Sequence, residues 1–439
     1  MNSSQFSHLF RAAIIWVLGI FPTGFAAIYV GWTQTPLHRR LVEAELGNLV
    51  GRPVRIRSVA SPAPGRLRLE ELTIQGPTDA EPIFLAESVL WTRKCHREST
   101  QHHFLAENCT LKIGENSAGT TFVNELFFCR QAAPTQPLPK TISAEVRQIR
   151  VQYPAGQVLF SAGKLEWQDA GTALIGILTL WREEARDQAP LEIRVVRDHS
   201  GQNLLAYGVH TGTGGLPVQL LKAFFADLEP WGPKTAFEGY FWVVPDSKNP
   251  QTELAGIFHI GDIAEIMGGI WAPFLQGKAQ LLLRKARLQG DKWQEGEGVL
   301  RAEAGNISQV YVRHLWQSLG LQGWMATAEM PEVLPVEELA FRFAFDSSGV
   351  VAVGACGDGG EGTLLRSSQI VLVTPPAGLR LSWPQLLASI LPPPRPRYPA
   401  SRNLPPLLQG SHGIMKPQRW LQAEAFHLPV KDLKESLEG

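Results

Sequence analysis

Cys95, His96, His102, His103 and Cys109 bring thiol and imidazole groups into one short stretch, the ligand chemistry of a zinc site. Their spacing matches no strong zinc pattern, and neighbours such as Cys95 and His96 point to opposite faces of a strand. A polar hairpin loop beside packed cysteines is the simpler reading. His210-Thr211-Gly212-Thr213-Gly214-Gly215 follows an apolar run and precedes a helical pattern, as a dinucleotide loop does. However, the position three beyond Gly214 is Pro217, and no βαβ unit surrounds it. Asp358 and Glu361 offer two carboxylates where a calcium loop needs more oxygens at alternate positions. Glu295 and Glu297 share a strand face, as exposed charges commonly do. No Gly-x-Ser-x-Gly, HExxH or Walker sequence occurs. The residues nominate no catalytic, cofactor-binding or metal-binding group, and a non-enzymatic protein is expected.

What remains is apolar. Phe237, Phe241 and Val243 share one face of a predicted strand, and Leu281 and Leu283 share one face of another. Such faces either pack as a core or line a concave groove that accepts acyl chains, and alternation alone fits both. With 439 residues, 44% of them apolar, the chain can bury a large core. Its 41 basic and 41 acidic side chains balance without a long basic run, which excludes nucleic acid as the main partner. The 41 glycines and 32 prolines favour a turn-rich β protein over a helical bundle.

The elements that would position those faces follow from periodicity. Leu37, Leu41, Val42, Leu46 and Leu49 predict a short helix from Pro36 to about Leu49, ended by Gly51. Period-two alternation then takes over. Leu67 and Leu69 give way to Leu72 and Ile74 with a one-residue slip at Glu70–Glu71, as a β-bulge produces. Further strands are expected at 83–92, 104–113, 121–128, 141–151 and 158–167. A helix over Val218–Leu228 precedes a hairpin of 235–244 with 251–260. A helix from Ile263 to Phe274, capped by Asp262, comes before a hairpin of 279–288 with 293–302. A helix over 310–319 and a hairpin of 339–345 with 350–356 complete the pattern. From Leu391 the Pro-rich run reads as a linker-like tail.

Ala12–Trp32 contains no charge over 21 residues, and as a helix it is about 31 Å long, a bilayer's hydrocarbon thickness. Ala12, Ile15, Leu18, Phe21, Phe25, Ile28 and Trp32 are its anchor residues, and the apolar run is long for a cleaved signal peptide. A short tail before a single span sends the rest of the chain across the membrane. An exported compartment permits one disulfide among Cys95, Cys109 and Cys129, with free packed cysteines as the alternative.

Three segments resemble the AsmA-like family, whose larger relatives include TamB and YhdP-type envelope proteins. LVEAELGNLVGRPVRIRSVASPAPGRLRLEELTIQGP, residues 41–77, is similar to the family's opening of helix, Gly-x-Pro-Val turn and paired strands. Residues 237–308, with FEGYFWVV, TELAGIFHIGDIAEI and LQGKAQLLLRKARLQGDKWQEGEGVLRAEAGNIS, resemble its Gly-led strands interrupted by a short helix. FRFAFDSSGVVAVGAC, residues 341–356, resembles its closing hairpin. The resemblance implies a mainly β fold with a few short helices, a transmembrane helix followed by a curved antiparallel β-groove or elongated sheet. The expected divisions are 1–36 (tail and anchor), 37–210 and 211–390 (two β regions) and 391–439 (Pro-rich tail). It further implies an inner-membrane, single-pass protein, largely periplasmic, that holds or relays phospholipid or another acyl-chain lipid for envelope biogenesis. The alternative is an assembly factor that recruits an envelope protein through β edges or the Pro-rich tail. The family supplies no catalytic residue or cofactor.

Overall fold

The Thr35 hydroxyl accepts the amide of His38 at 3.2 Å, and Pro36 fills the first helical position. Helix α1 (Pro36–Val50) therefore starts sharply, and it stops at Gly51, whose φ of 74° suits a residue without a side chain. The computed structural model describes residues 31–390, apart from 34, 64, 77–81, 96–99, 114–122, 124–141, 155, 170–172, 183–188, 199–203, 222–233, 246–248, 267–274, 291, 326–330 and 358–361.

The chain is mainly β, in one long sheet whose pairings among the described residues are antiparallel with a single exception. Strands β1 (Val54–Arg55) and β2 (Ser58–Ala63) both pair with β3 (Arg66–Gln75), which leads to β4 (Pro82–Cys95) and β5 (Thr100–Lys112). The exception is β5 with β6 (Ile142–Tyr153), which run parallel. The meander resumes through β7 (Gly156–Asp169), β8 (Leu174–Trp181), β9 (Leu191–Arg197) and β10 (Leu204–His210). It passes β11 (Leu216–Pro217) and helix α2 (Val218–Leu221) to β12 (Ala236–Val244) and β13 (Gln251–Ile260). Helix α3 (Ile263–Ile266) precedes the longest hairpin, β14 (Leu275–Gln289) with β15 (Lys292–Ser308). Helix α4 (Gln309–Leu319) and β16 (Gln322–Met325) separate β15 from its partner β17 (Val333–Asp346). β18 (Gly349–Gly354) and β19 (Thr363–Arg366) both pair with β17; β20 (Ile370–Val373) joins β19 to β16, and β21 (Leu379–Leu381) pairs with β18 before helix α5 (Trp383–Ile390).

Two expectations change on this frame. The strand expected at 121–128 lies outside the described residues except for Val123, which is helical and fully buried. Parallel neighbours need a crossover longer than a hairpin turn, and residues 113–141 supply that length between β5 and β6. The slip at Glu70–Glu71 is real, but it is not an extra residue opposite a regular strand. Glu70 pairs with Ser88 and Leu72 with Ala86, so the register is unbroken. Instead β3 to β7 each place two successive residues outward at the same level, between inward pairs such as Leu69 and Leu72, Ala106 and Cys109, or Gly163 and Phe160. Glu71, Asn108 and Gln148 take positive φ there (51°, 51° and 59°). Because neighbouring strands slip together, inward side chains still meet inward side chains.

Candidate functional site

The sheet's cross-strand register aligns one residue from each of fifteen strands into a row. Leu67 opposes Trp91, which opposes Phe104, then Ala144 and Leu165. The row continues through Leu178, Ile193, Val209, Phe241 and Leu254. It ends with Ala286, Gly296, Phe345, Val350 and Leu381. No member is polar. At normal strand spacing the row is about 65–70 Å long measured along the sheet. Further rows on the same face, both to the same side of the first, are apolar too: Leu69–Val89–Ala106–Val146–Gly163–Leu180–Leu191 next to it, and Phe237–Phe258–Leu281–Leu300–Phe341 a step farther along the later strands.

Exposure varies along the row. Ile193, Val209, Phe241, Leu254 and Ala286 are buried in its middle. Phe104, Ala144, Leu165 and Leu178 are half-buried on one side of this stretch, and Phe345, Val350 and Leu381 on the other. Of the residues expected to line a groove, Phe237, Phe241, Val243 and Leu283 are buried and Leu281 is half-buried, all on this face. Phe237 lies 4.6 Å from Phe258, ring centroid to centroid, over the paired glycines Gly239 and Gly256. A Cβ on Gly256 would stand 2.3 Å from the Glu238 carbonyl oxygen and 2.8 Å from the Phe237 ring, so the ring needs that bare backbone. Gly296 and Gly298 serve Phe345 and Phe343 in the same way, since a Cβ there would lie 2.4 and 2.8 Å from those rings. Phe343 and Phe345 stack at 6.2 Å, and Trp293 and Trp383 meet Phe345 edge-on at 5.7 and 5.8 Å. The result is a half-buried aromatic floor on β17.

Within the cysteine and histidine stretch, the described side chains His102, His103 and Cys109 are engaged in packing and hydrogen bonds. Trp91 is fully buried, and its indole N–H donates to His102 Nδ1 at 3.3 Å, which requires that nitrogen to be unprotonated. Burial, with the Arg93 charge beside it, pushes the His102 pKa down accordingly. The Arg93 guanidinium sits 4.0 Å from the Trp91 ring centroid and pairs with Glu45 of α1 at 2.6 Å, tying the helix to the start of the row. His103 Nδ1 hydrogen-bonds the Ser143 hydroxyl at 2.9 Å. Cys109 is free and buried, and desolvation raises its thiol pKa to about 12; Cys356 is likewise free and buried. A disulfide therefore does not use Cys109, while His96 and Cys129 lie outside the described residues. Among the described residues no group of three or more His, Cys, Asp or Glu side chains is placed to hold a metal. In the glycine loop three amides are already engaged: Thr211 N–H donates to the Gly239 carbonyl, Thr213 N–H to the Ala189 carbonyl and Gly212 N–H to His210 Nδ1. Arg182 donates to the Gly214 and Gly215 carbonyls, so the loop is a braced turn.

Ala12, Ile15, Leu18, Phe21, Phe25 and Ile28 lie outside the described residues; Trp32 is helical and exposed. No helix among the described residues is long and apolar enough to cross a membrane. Sequence reasoning missed the half-buried stretch on β5–β8, although the alternation of Phe104 and Ala106, and of Leu165 and Trp167, carries its signal. What the fold and this face define is a mainly β protein with one sheet-wide apolar surface. Comparison with protein-family models, with curated proteins and with solved structures finds no match.

Proposed function

We propose that this chain is a non-enzymatic envelope protein of the AsmA-like kind, anchored in the inner membrane, whose apolar face holds or relays the acyl chains of phospholipids. The observation that carries this reading is the unbroken apolar row across fifteen strands. A face of that extent cannot stay in water, and the described helices are few and short beside it. In this reading the sheet curls on itself to shelter the face, tightly at the buried middle and loosely where the side chains are half-buried. A loose trough suits lipid tails, because each methylene moved out of water contributes about 0.8 kcal/mol and needs no polar partner. The three segments that resemble the family fall on α1–β3, β12–β15 and β17–β18, so they belong to one continuous surface. The outward rows carry charge instead, such as Glu70, Glu71, Glu87 and Glu107, partnered by Ser58, Arg57, Asn108 and Arg147.

A photo-reactive phenylalanine analogue tests the reading in the full chain, expressed in the envelope of a Gram-negative bacterium. Placed at Leu165 or Phe343 it should cross-link to phospholipid on illumination. Placed at the outward neighbours Lys164 or Arg342 it should not. Folded protein without lipid adducts at the inward positions would defeat the proposal.

A further inference from the structure

Helix α1 has two unlike sides. Val42 and Leu46 are buried against the sheet, and both acids turn the same way: Glu43 accepts the Ile56 amide at 2.9 Å, and Glu45 pairs with Arg93. The other side is apolar yet open. Leu37 is 53% exposed, Leu41 54%, and Ala44 is exposed as well, at the i, i+4, i+7 spacing of one helical stripe. Arg40 is exposed between them, and no acid shares the stripe. Trp32, 45% exposed, ends the uncharged segment 12–32 only four residues before α1 begins, a reach of at most about 14 Å. The extended Thr35, with ψ of 148°, turns the chain between the two helical pieces, so α1 does not prolong the first.

We propose that the outer face of α1 lies on the bilayer that holds the anchor, with Leu37, Leu41 and Ala44 at the boundary of headgroups and acyl chains and Arg40 against lipid phosphates. The proposal rests on the anchor reading of residues 12–32. Its partner is a lipid surface, because the stripe is apolar with a basic edge and starts within a few residues of an interfacial tryptophan. Through Glu45, Arg93 and Trp91 the helix would then set the first strands of the apolar row beside the bilayer, where a lipid tail could enter.

The test uses the full chain in vesicles of phosphatidylethanolamine and phosphatidylglycerol, with Cys95→Ser and Cys129→Ser, which leave only the buried Cys109 and Cys356 as native thiols. An environment-sensitive fluorophore is attached at Leu41→Cys, at Phe25→Cys within the anchor, or at Ser347→Cys on the exposed β17–β18 turn. Nitroxide-bearing lipid should quench the first two labels, with the label at 41 answering best to a nitroxide near the headgroup, while iodide should quench the label at 347. If iodide quenches the label at 41 as fully as the one at 347 while lipid still quenches the label at 25, the proposal fails and the anchor stands. If lipid fails to quench the label at 25, the anchor reading falls and this proposal with it. Protection of the label at 41 from both quenchers would mean that protein covers α1, and that also overturns it. A Leu37→Asp/Leu41→Asp variant, exposed and therefore expected to fold, should move a label at Ala44→Cys from lipid quenching to iodide quenching.

Discussion

Truncating Phe237 and Phe343 separates the sealed part of the apolar face from its open part. Phe237 is fully buried, and its ring is the cover over Gly239 and Gly256. Neither glycine has a side chain to move into the space left by Phe237→Ala, and both are held in the β12–β13 ladder. The loss is then that of a buried ring plus an unfilled cavity, about 3–5 kcal/mol. For a cooperative unit of roughly 300 residues, an unfolding entropy near 2.1 cal/mol/K per residue turns this into a Tm drop of about 5–8 °C. Phe343 is half-buried, so Phe343→Ala should cost only about 1–2 kcal/mol, or about 2 °C. Thermal unfolding followed by far-UV circular dichroism measures the first quantity. Photo-cross-linked lipid per folded chain, read at Leu165 and again at Phe341, measures the second. The expected pattern is crossed: Phe237→Ala lowers Tm and leaves lipid per folded chain unchanged, whereas Phe343→Glu lowers lipid at Phe341 with a small change in Tm. A Phe237→Ala cost below about 1 kcal/mol would refute the cavity argument. Equal effects of the two sites on lipid would refute the division of the face. A charge at Phe241 cannot serve this purpose, because that side chain is only 4% exposed and the variant would report folding instead.

Three further outcomes follow from local geometry and chemistry. Gly256→Ala should cost about 2–5 kcal/mol from backbone strain and overpacking, since its φ is 151° and its Cβ meets the Glu238 carbonyl oxygen. Gly320→Ala, at a φ of 60° with nothing within 4 Å, should cost only about 1 kcal/mol, so denaturant midpoints of the pair separate packing from strain. The Cys109 thiol, raised to about 12, should resist alkylation in the folded chain at a pH where a free thiol reacts, and mass spectrometry should find it modified only after unfolding. The same shift makes stability fall as pH rises above 9.0, because the unfolded thiol ionises there and the folded one does not. His102 has the opposite sense: its folded pKa lies below 6.5, so stability should fall as pH drops below that value and only the unfolded imidazole gains a proton. His102→Gln should flatten that acid limb in a pH series of denaturant midpoints.

Much of the β pattern was legible because a strand writes its burial locally. Alternation located β12 and β13 to within a residue and the cores of β14 and β15, which run on past the expected 279 and 302 ends to Leu275 and Ser308, and the Thr35–Gly51 frame of α1 rests on caps adjacent in sequence. That Phe237, Phe241 and Val243 share one face of their strand, and Leu281 and Leu283 one face of theirs, was visible for the same reason, whereas the pairing alone puts both sets on one surface. Tertiary structure alone decided which of them are sealed, since exposure depends on neighbours such as Phe258, supplied by another strand. It also decided that β5 pairs in parallel with β6, because strand direction is set by a crossover whose path no local period records. The slip at Glu70–Glu71 shows the division most clearly. The one-residue offset could be read in β3, but the shared slip of β3 to β7 exists only once the strands are in register. Periodicity is a property of one strand, whereas a row across fifteen strands is a property of their pairing.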